Sequence, residues 1–230
     1  MNNTEFFRFP HTPHILWLGK DEPRDDKLLS NAERDALLAG EVVVEEKLDG
    51  ANLGISLAPD GQLQVQNRGQ YLIKPYAGQF SRLDAWLAIH QAQIEAHLAP
   101  HLMLFGEWCA ARHTLDYAAL PDWFMLFDVY DREQQRFYAT PQRNALAEKI
   151  GLRTVPQVLQ GRVTLAQLTA LLASQSSHYR AGPLEGMVIR RESGLWCEQR
   201  AKLVRADFTQ SIAEHWRNRR IEWNQLHYPE

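Results

Sequence analysis

Apolar and polar residues along this chain alternate in two registers, and the switches between them mark its elements. Val42-Val43-Val44 within Glu41–Leu48 is a short β-branched run of strand type. Asn52–Ala58 and Gln62–Asn67 flank the turn-forming Pro59-Asp60-Gly61 and predict a β-hairpin. Leu102–Trp108 and Trp123–Tyr130 are apolar runs of strand length. Met187–Arg191 and Leu195–Leu203 predict a second hairpin around Ser193-Gly194. Between these runs the period lengthens. Leu83, Trp86, Leu87, Ile94 and Leu98 lie close to helical spacing over 81–98, ahead of Pro100. Residues 31–38 predict a helix, with Ser30 as N-cap and Glu33 completing a capping box. Pro141–Ile150 starts with proline at a first-turn position and stops at Gly151, and Leu165–Ala173 and Phe208–Arg219 predict two further helices. The sum is an α+β chain built on antiparallel sheet with helices set between hairpins.

With 230 residues there is room for one large domain, and 45% apolar or aromatic composition supplies its core. No apolar run approaches the roughly 20 residues of a membrane-spanning helix, and the first residues lack the pattern of a signal peptide. Two cysteines, Cys109 and Cys197, form no disulfide framework, so a reduced, cytoplasmic setting is expected. Cys109 reads as a small buried hydrophobe. A net charge of −3 argues against charge-driven nucleic-acid binding of the histone kind. Arg190, Arg191, Arg200, Lys202, Arg205, Arg217, Arg219 and Arg220 nevertheless outnumber the acids among them, Glu192, Glu198, Asp207 and Glu214, which allows a local basic face. The nine histidines show no metal-ligand spacing.

Candidate chemistry begins at Lys47, in Glu46-Lys47-Leu48-Asp49-Gly50, where an apolar strand runs into a tight turn. A lysine there becomes nucleophilic if desolvation and nearby cations lower its pKa. Lys-x-Asp-Gly alone occurs in many surface turns. Its weight comes from the segments downstream, in order: Phe105-Gly106-Glu107; Phe127-Asp128-Val129-Tyr130; Glu185-Gly186-Met187-Val188-Ile189-Arg190; and Arg200-Ala201-Lys202, whose two cations share one strand face. This ordered set, from Lys47 to Lys202, resembles the covalent nucleotidyltransferase superfamily of ATP-dependent DNA ligases, RNA ligases and mRNA capping enzymes. Phe105-Gly106-Glu107-Trp108, Asn67-Arg68-Gly69 and Arg200-x-Lys202 followed by Asp207-Phe208 make it most similar to the RNA ligase 2-like branch. Two departures are Asp49, where that branch often has His, and Arg200 in place of Lys.

The resemblance implies an ATP-grasp-like ligase adenylylation domain over 1–207, with a short helical basic tail over 208–230. The 28 residues after Lys202 are too few for the OB-fold domain of DNA ligases and capping enzymes. It implies an ATP-dependent RNA ligase that joins 5′-phosphate and 3′-OH RNA ends through lysyl-AMP and an adenylylated RNA end, acting in RNA repair. An end-healing kinase or phosphatase is a candidate partner. Lys47 is the implied nucleophile. Arg200 and Lys202 would neutralise the α-phosphate, and Lys202 would help keep Lys47 uncharged. Glu107 would hold the ribose, Phe127 would stack on adenine, and the Glu46 backbone would read its polar edge. Glu185 would bind Mg²⁺ or Mn²⁺, and Arg68 would hold the acceptor 5′-phosphate. Arg190 is a further phosphate-contact candidate, and the basic stretch Trp216–Arg220 another. Asp49 is expected to cap the turn that aims Lys47. Asp128 and Asp131 are expected in turns or caps, and Trp17, Trp86, Trp123, Trp196 and Trp223 in packing. The competing readings are a minimal DNA ligase and a non-ligating RNA-end-binding subunit.

Overall fold

The computed structural model describes residues 6–20, 28–211 and 220–227. Helix α1 (Asn31–Leu38) opens with the expected capping box: the Glu33 amide donates to Ser30 Oγ at 3.2 Å, and the Ser30 amide donates to Glu33 Oε2 at 2.9 Å. It leads into β1 (Val42–Lys47), followed by the hairpin β2 (Ala51–Leu57) and β3 (Leu63–Gln66). After α2 (Leu83–His97) come β4 (Leu102–Trp108), β5 (Phe124–Asp131) and β6 (Arg136–Tyr138). Helix α3 (Thr140–Ile150) has proline in its first turn and ends at Gly151, whose φ of 83° is left-handed. Beyond it lie β7 (Arg153–Thr154), β8 (Gln157–Gly161), α4 (Leu165–Ser174), the hairpin β9 (Gly186–Ser193) and β10 (Trp196–Val204), and α5 (Ala206–Ser211).

Nine strands take the order β3-β2-β4-β5-β6-β10-β9-β1-β8, and β7 adds a short parallel pairing to β5. Three-residue β6 is the seam between two half-sheets. On one side, Leu53, Ile55, Leu104, Phe124 and Leu126 pack beneath Trp86 and Leu87 of α2 and Ala147 and Ile150 of α3. On the other, Val42, Val44, Ile189 and Leu203 pack against Leu37 of α1 and Leu168 and Leu172 of α4. Truncating one such buried leucine to alanine costs about 2–5 kcal/mol. Strands β6 and β7, of three and two residues, are too short to show a period, and β8 carries only the adjacent Val158 and Leu159 as apolar residues, so the hydrophobic pattern predicts none of the three.

Of the helix expected over Phe208–Arg219, α5 holds the beginning and 212–219 lie outside the described residues. Residues 220–227 are extended rather than helical and pair back onto the domain at Ala111 and Leu120. Of the basic run, only Arg220 is described, and it is exposed. Among the described residues no helix is long and apolar enough to cross a membrane.

Candidate active site

Strand β1 ends at Lys47, and its register opposite β9 pairs Lys47 with Gly186. That pairing sets Glu185 beside the lysine, and Lys47 Nζ lies 2.5 Å from Glu185 Oε1. Gly186 is required there, because a Cβ would sit 2.5 Å from the Leu203 carbonyl oxygen. The chain then turns into β2 at Gly50, where a Cβ would lie 2.5 Å from the Trp108 carbonyl oxygen. This close approach lets the Gly50 amide donate to Glu107 Oε1 at 3.0 Å. Contrary to expectation, Asp49 does not cap its own turn but ties that turn to the 109–117 loop. Its Oδ2 accepts from the Thr114 and Leu115 amides, both at 2.7 Å, and its own amide donates to the Tyr117 hydroxyl at 2.8 Å.

Three carboxylates therefore surround one lysine. Burial pushes Lys47 down, but Glu185, Glu107 and Asp49 outweigh burial and the pKa is raised. The expected lowering does not occur: a cation 2.5 Å from a buried carboxylate is held charged. Burial also pushes Glu185 up to about 8 and Glu107 to about 7, against the opposing pull of Lys47.

The facing wall is built from arginines. Asp128, expected in a turn, is buried and bridges two of them, taking Arg190 on Oδ1 and Arg200 on Oδ2, each at 2.6 Å. The Arg200 guanidinium also lies over the rings of Phe137 and Phe9, at 4.0 and 4.6 Å from their centroids. Arg190 is not the phosphate contact expected of it. It is 1% exposed, and each of its three guanidinium nitrogens donates to protein: Nε to Glu192, Nη1 to Asp128 and the Phe127 carbonyl, Nη2 to the Tyr138 carbonyl. Arg143, paired to Glu45 at 2.6 Å, donates to the same Phe127 carbonyl at 2.8 Å, so the backbone carrying the Phe127 ring is held by two arginines. Asp131 caps the β5–β6 turn through the Glu133 and Gln134 amides.

Both walls border one cavity of about 390 Å³, lined by Lys47, Asn52, Arg68, Glu107, Phe127, Arg200 and Lys202 among others. Among the described residues, two buried polar atoms of the lining have no hydrogen-bond partner, Asn52 Oδ1 and Arg68 Nε, and a third, Glu185 Oε2, belongs to the carboxylate that pairs with the lining residue Lys47. Orphaned buried polar atoms are uncommon, and their convergence here marks a site for a polar ligand. Among the described residues no three His, Cys, Asp or Glu side chains converge as a metal cage. A lone orphaned carboxylate oxygen suits a hard cation that takes most of its ligands from phosphate and water. Glu46 borders the cavity, but its amide donates to the Pro156 carbonyl and its buried carboxylate holds Ser177 Oγ and the His178 amide and ring, leaving at most its carbonyl for a base edge.

The sequence profile of RNA ligase matches residues 40–204, about seven-tenths of the chain. The chain belongs to the RNA ligase family. Its fold agrees with that assignment. A Naegleria gruberi RNA ligase variant with ATP and Mn superposes with a TM-score of 0.63 at 17% identity, covering 90% of this chain and 62% of that one. A second variant, also with ATP and Mn, gives 0.61 at 17% identity over 79% of this chain and 54% of that one. This RNA ligase family member thus spans little more than half of the Naegleria chain. No curated protein sequence matches it. Among the cavity residues of this family member that the sequence did not announce as site residues are Asn52 and Phe9. Asn52 carried a signal, a polar amide set between Ala51 and the apolar run that begins at Leu53. Phe9 carried none, since it reaches the site from a segment without regular structure.

Proposed function

We propose that this RNA ligase family member is an ATP-dependent RNA ligase acting through a lysyl-AMP intermediate. The observation that carries the reading is the convergence of Lys47, Glu107, Phe127, Arg200 and Lys202 on one cavity, beside the orphaned Glu185 oxygen. In this reading adenine stacks on Phe127, Glu107 holds the ribose, and Arg200 and Lys202 face the α-phosphate. Lys47 gives a proton to water, its nitrogen lone pair forms the N–P bond, and the bond from the α-phosphorus to pyrophosphate breaks with the electrons leaving on pyrophosphate. A divalent cation at Glu185, when bound, neutralises phosphate charge. Glu185, which holds the Lys47 ammonium charged, would then be shared with the cation. AMP then passes to an RNA 5′-phosphate held by Arg68, and a 3′-OH displaces it. These are substitutions at phosphorus, in which positioning and charge neutralisation dominate. Ends of this kind would come from an end-healing kinase or phosphatase, in cytoplasmic RNA repair.

Incubation with α-labelled ATP and Mg²⁺ or Mn²⁺ is expected to label the protein, and Lys47→Ala to abolish the label. A wild-type protein that takes no label in either metal sinks the reading. Arg68→Ala is expected to keep self-adenylylation within about threefold while nick sealing falls by ~100-fold, the loss of a charge-assisted phosphate contact and its positioning. Equal losses in both steps would remove Arg68 from the acceptor site. Matched nicks with ribose or deoxyribose 3′-OH ends separate RNA from DNA joining through the 2′-OH.

A further inference from the structure

Residues 221–227 lie beyond the RNA ligase match, yet they are tied to the loop that aims the nucleophile. Asn224, 4% exposed, places its side chain between the two ends of that loop. Its Oδ1 accepts from the Tyr117 amide at 2.9 Å, and its Nδ2 donates to the Cys109 carbonyl at 2.8 Å and the Ala111 carbonyl at 3.4 Å. Backbone bonds run alongside. The Asn224 amide donates to Ala110, Gln225 to Tyr117, Leu120 to Gln225 and His227 to Leu120. Trp223 is held over the Arg82 guanidinium at 4.2 Å.

Between the two clamped ends lie Thr114 and Leu115, whose amides cap Asp49, and Tyr117 itself supplies the hydroxyl that takes the Asp49 amide. Asp49 is two residues from Lys47. The chain of contacts therefore runs from Asn224 to the 109–117 loop, from the loop to Asp49, and from Asp49 to the turn that carries the nucleophile. The first two links are hydrogen bonds that include buried groups, where an unmade bond is costly, and the last is the chain itself. We infer that Asn224 is a positioning residue for lysine adenylylation, and that the 221–227 strap is a working part of the active site. The inference rests on the lysyl-AMP reading above. A carboxamide suits the place because it donates and accepts at once, joining a carbonyl at one loop end to an amide at the other.

The test uses the full chain with Asn224→Ala, Tyr117→Phe and the double variant. Single-turnover labelling at saturating α-labelled ATP separates the labelled fraction from the rate, and amide hydrogen exchange tracks Thr114 and Leu115. Asn224→Ala is expected to label to nearly the wild-type extent but ~10-fold or more slowly, because a misaimed nucleophile loses rate rather than competent molecules. The apparent KM for ATP should stay within about twofold, since the arginine wall is untouched. Tyr117→Phe, a single-atom change, should show the same pattern at ~5-fold, and the double variant should be no slower than the worse single one, as for residues in one contact chain. Exchange at Thr114 and Leu115 should rise in Asn224→Ala. A wild-type rate in Asn224→Ala, a smaller labelled fraction at unchanged rate, or additive losses would overturn the inference. If Asn224→Ala does not fold, Tyr117→Phe decides, a wild-type rate there overturning it. If the wild-type protein takes no label, the adenylylation reading fails, and unchanged exchange at Thr114 and Leu115 separately removes Asn224 from the positioning chain.

Discussion

The two walls of the cavity solve opposite electrostatic problems. Around Lys47, three carboxylates, Glu185, Glu107 and Asp49, share one ammonium, and burial raises the two glutamates out of the ordinary carboxylate range. Across the cavity, Arg143, Arg190 and Arg200 meet Glu45, Asp128 and Glu192 in ion pairs and hydrogen bonds of 2.6 to 2.9 Å. The first wall is short of positive charge and keeps an orphaned carboxylate oxygen. The second is matched charge for charge and has its geometry set before any ligand arrives. A wall with matched charges suits binding and orientation, whereas a wall short of cations suits a step that begins when a cation or substrate arrives.

Removing the shared acceptor of the matched wall should have the largest effect. Asp128→Ala leaves Arg190 and Arg200 buried without their 2.6 Å partner. A loss of about 3–5 kcal/mol in folding stability is expected, the cost of breaking a buried ion pair on one side. Urea denaturation measures it, and a loss below about 1 kcal/mol would show that the wall is not locked by this carboxylate.

A smaller effect tests orientation with charge held constant. Arg200→Lys keeps the cation but cannot spread a planar guanidinium over Phe9 and Phe137 while pairing with Asp128. Labelling at subsaturating ATP should fall by ~10-fold, about 1.4 kcal/mol, with stability changed less than in Asp128→Ala. Unchanged labelling would mean that the stacked geometry is incidental and that charge alone is used on this wall.

The contrast between the walls also explains which residues could be read from the sequence. Lys47, Glu107, Phe127, Glu185 and Lys202 sit in or beside strands whose apolar runs announce them, and their order along the chain carries the family resemblance. Apart from Arg190 with its near neighbour Glu192, the matched wall is assembled from pairs 62 to 98 residues apart, such as Arg190 with Asp128 and Arg143 with Glu45. No local pattern announces such pairs, so Asp128 read as a turn residue and Arg190 as a phosphate contact. The raised pKa of Lys47 was hidden for the same reason: it depends on Glu185 and Glu107 meeting the lysine across three strands, and a linear reading weighs only desolvation and the nearest cations. The 221–227 strap was equally silent, since its meaning lies in Asn224 reaching back to Cys109 and Tyr117.

An effect of about the same size as that of Arg200→Lys belongs to Glu107 and has opposite signs for stability and activity. In the folded chain this carboxyl titrates near 7 rather than 4.5, because burial disfavours its charged form. The folded state therefore binds more protons than the unfolded state between those values. The contribution is fully present below about pH 4.5 and is lost as the pH rises through about 7. Glu107→Gln removes the titration but keeps an oxygen to accept from the Gly50 amide. Relative to wild type, the variant should gain about 1–2 kcal/mol between pH 4.5 and 7.5, discounted for partial exposure, and hold that gain at higher pH. Thermal melts should show it as a rise of about 2–8 °C. Self-adenylylation should fall over the same range, because the amide is a weaker partner for ribose hydroxyls than a carboxylate. A stability difference that does not depend on pH would mean that Lys47 keeps Glu107 ionised throughout, and that the cation-poor wall is less frustrated than its geometry implies.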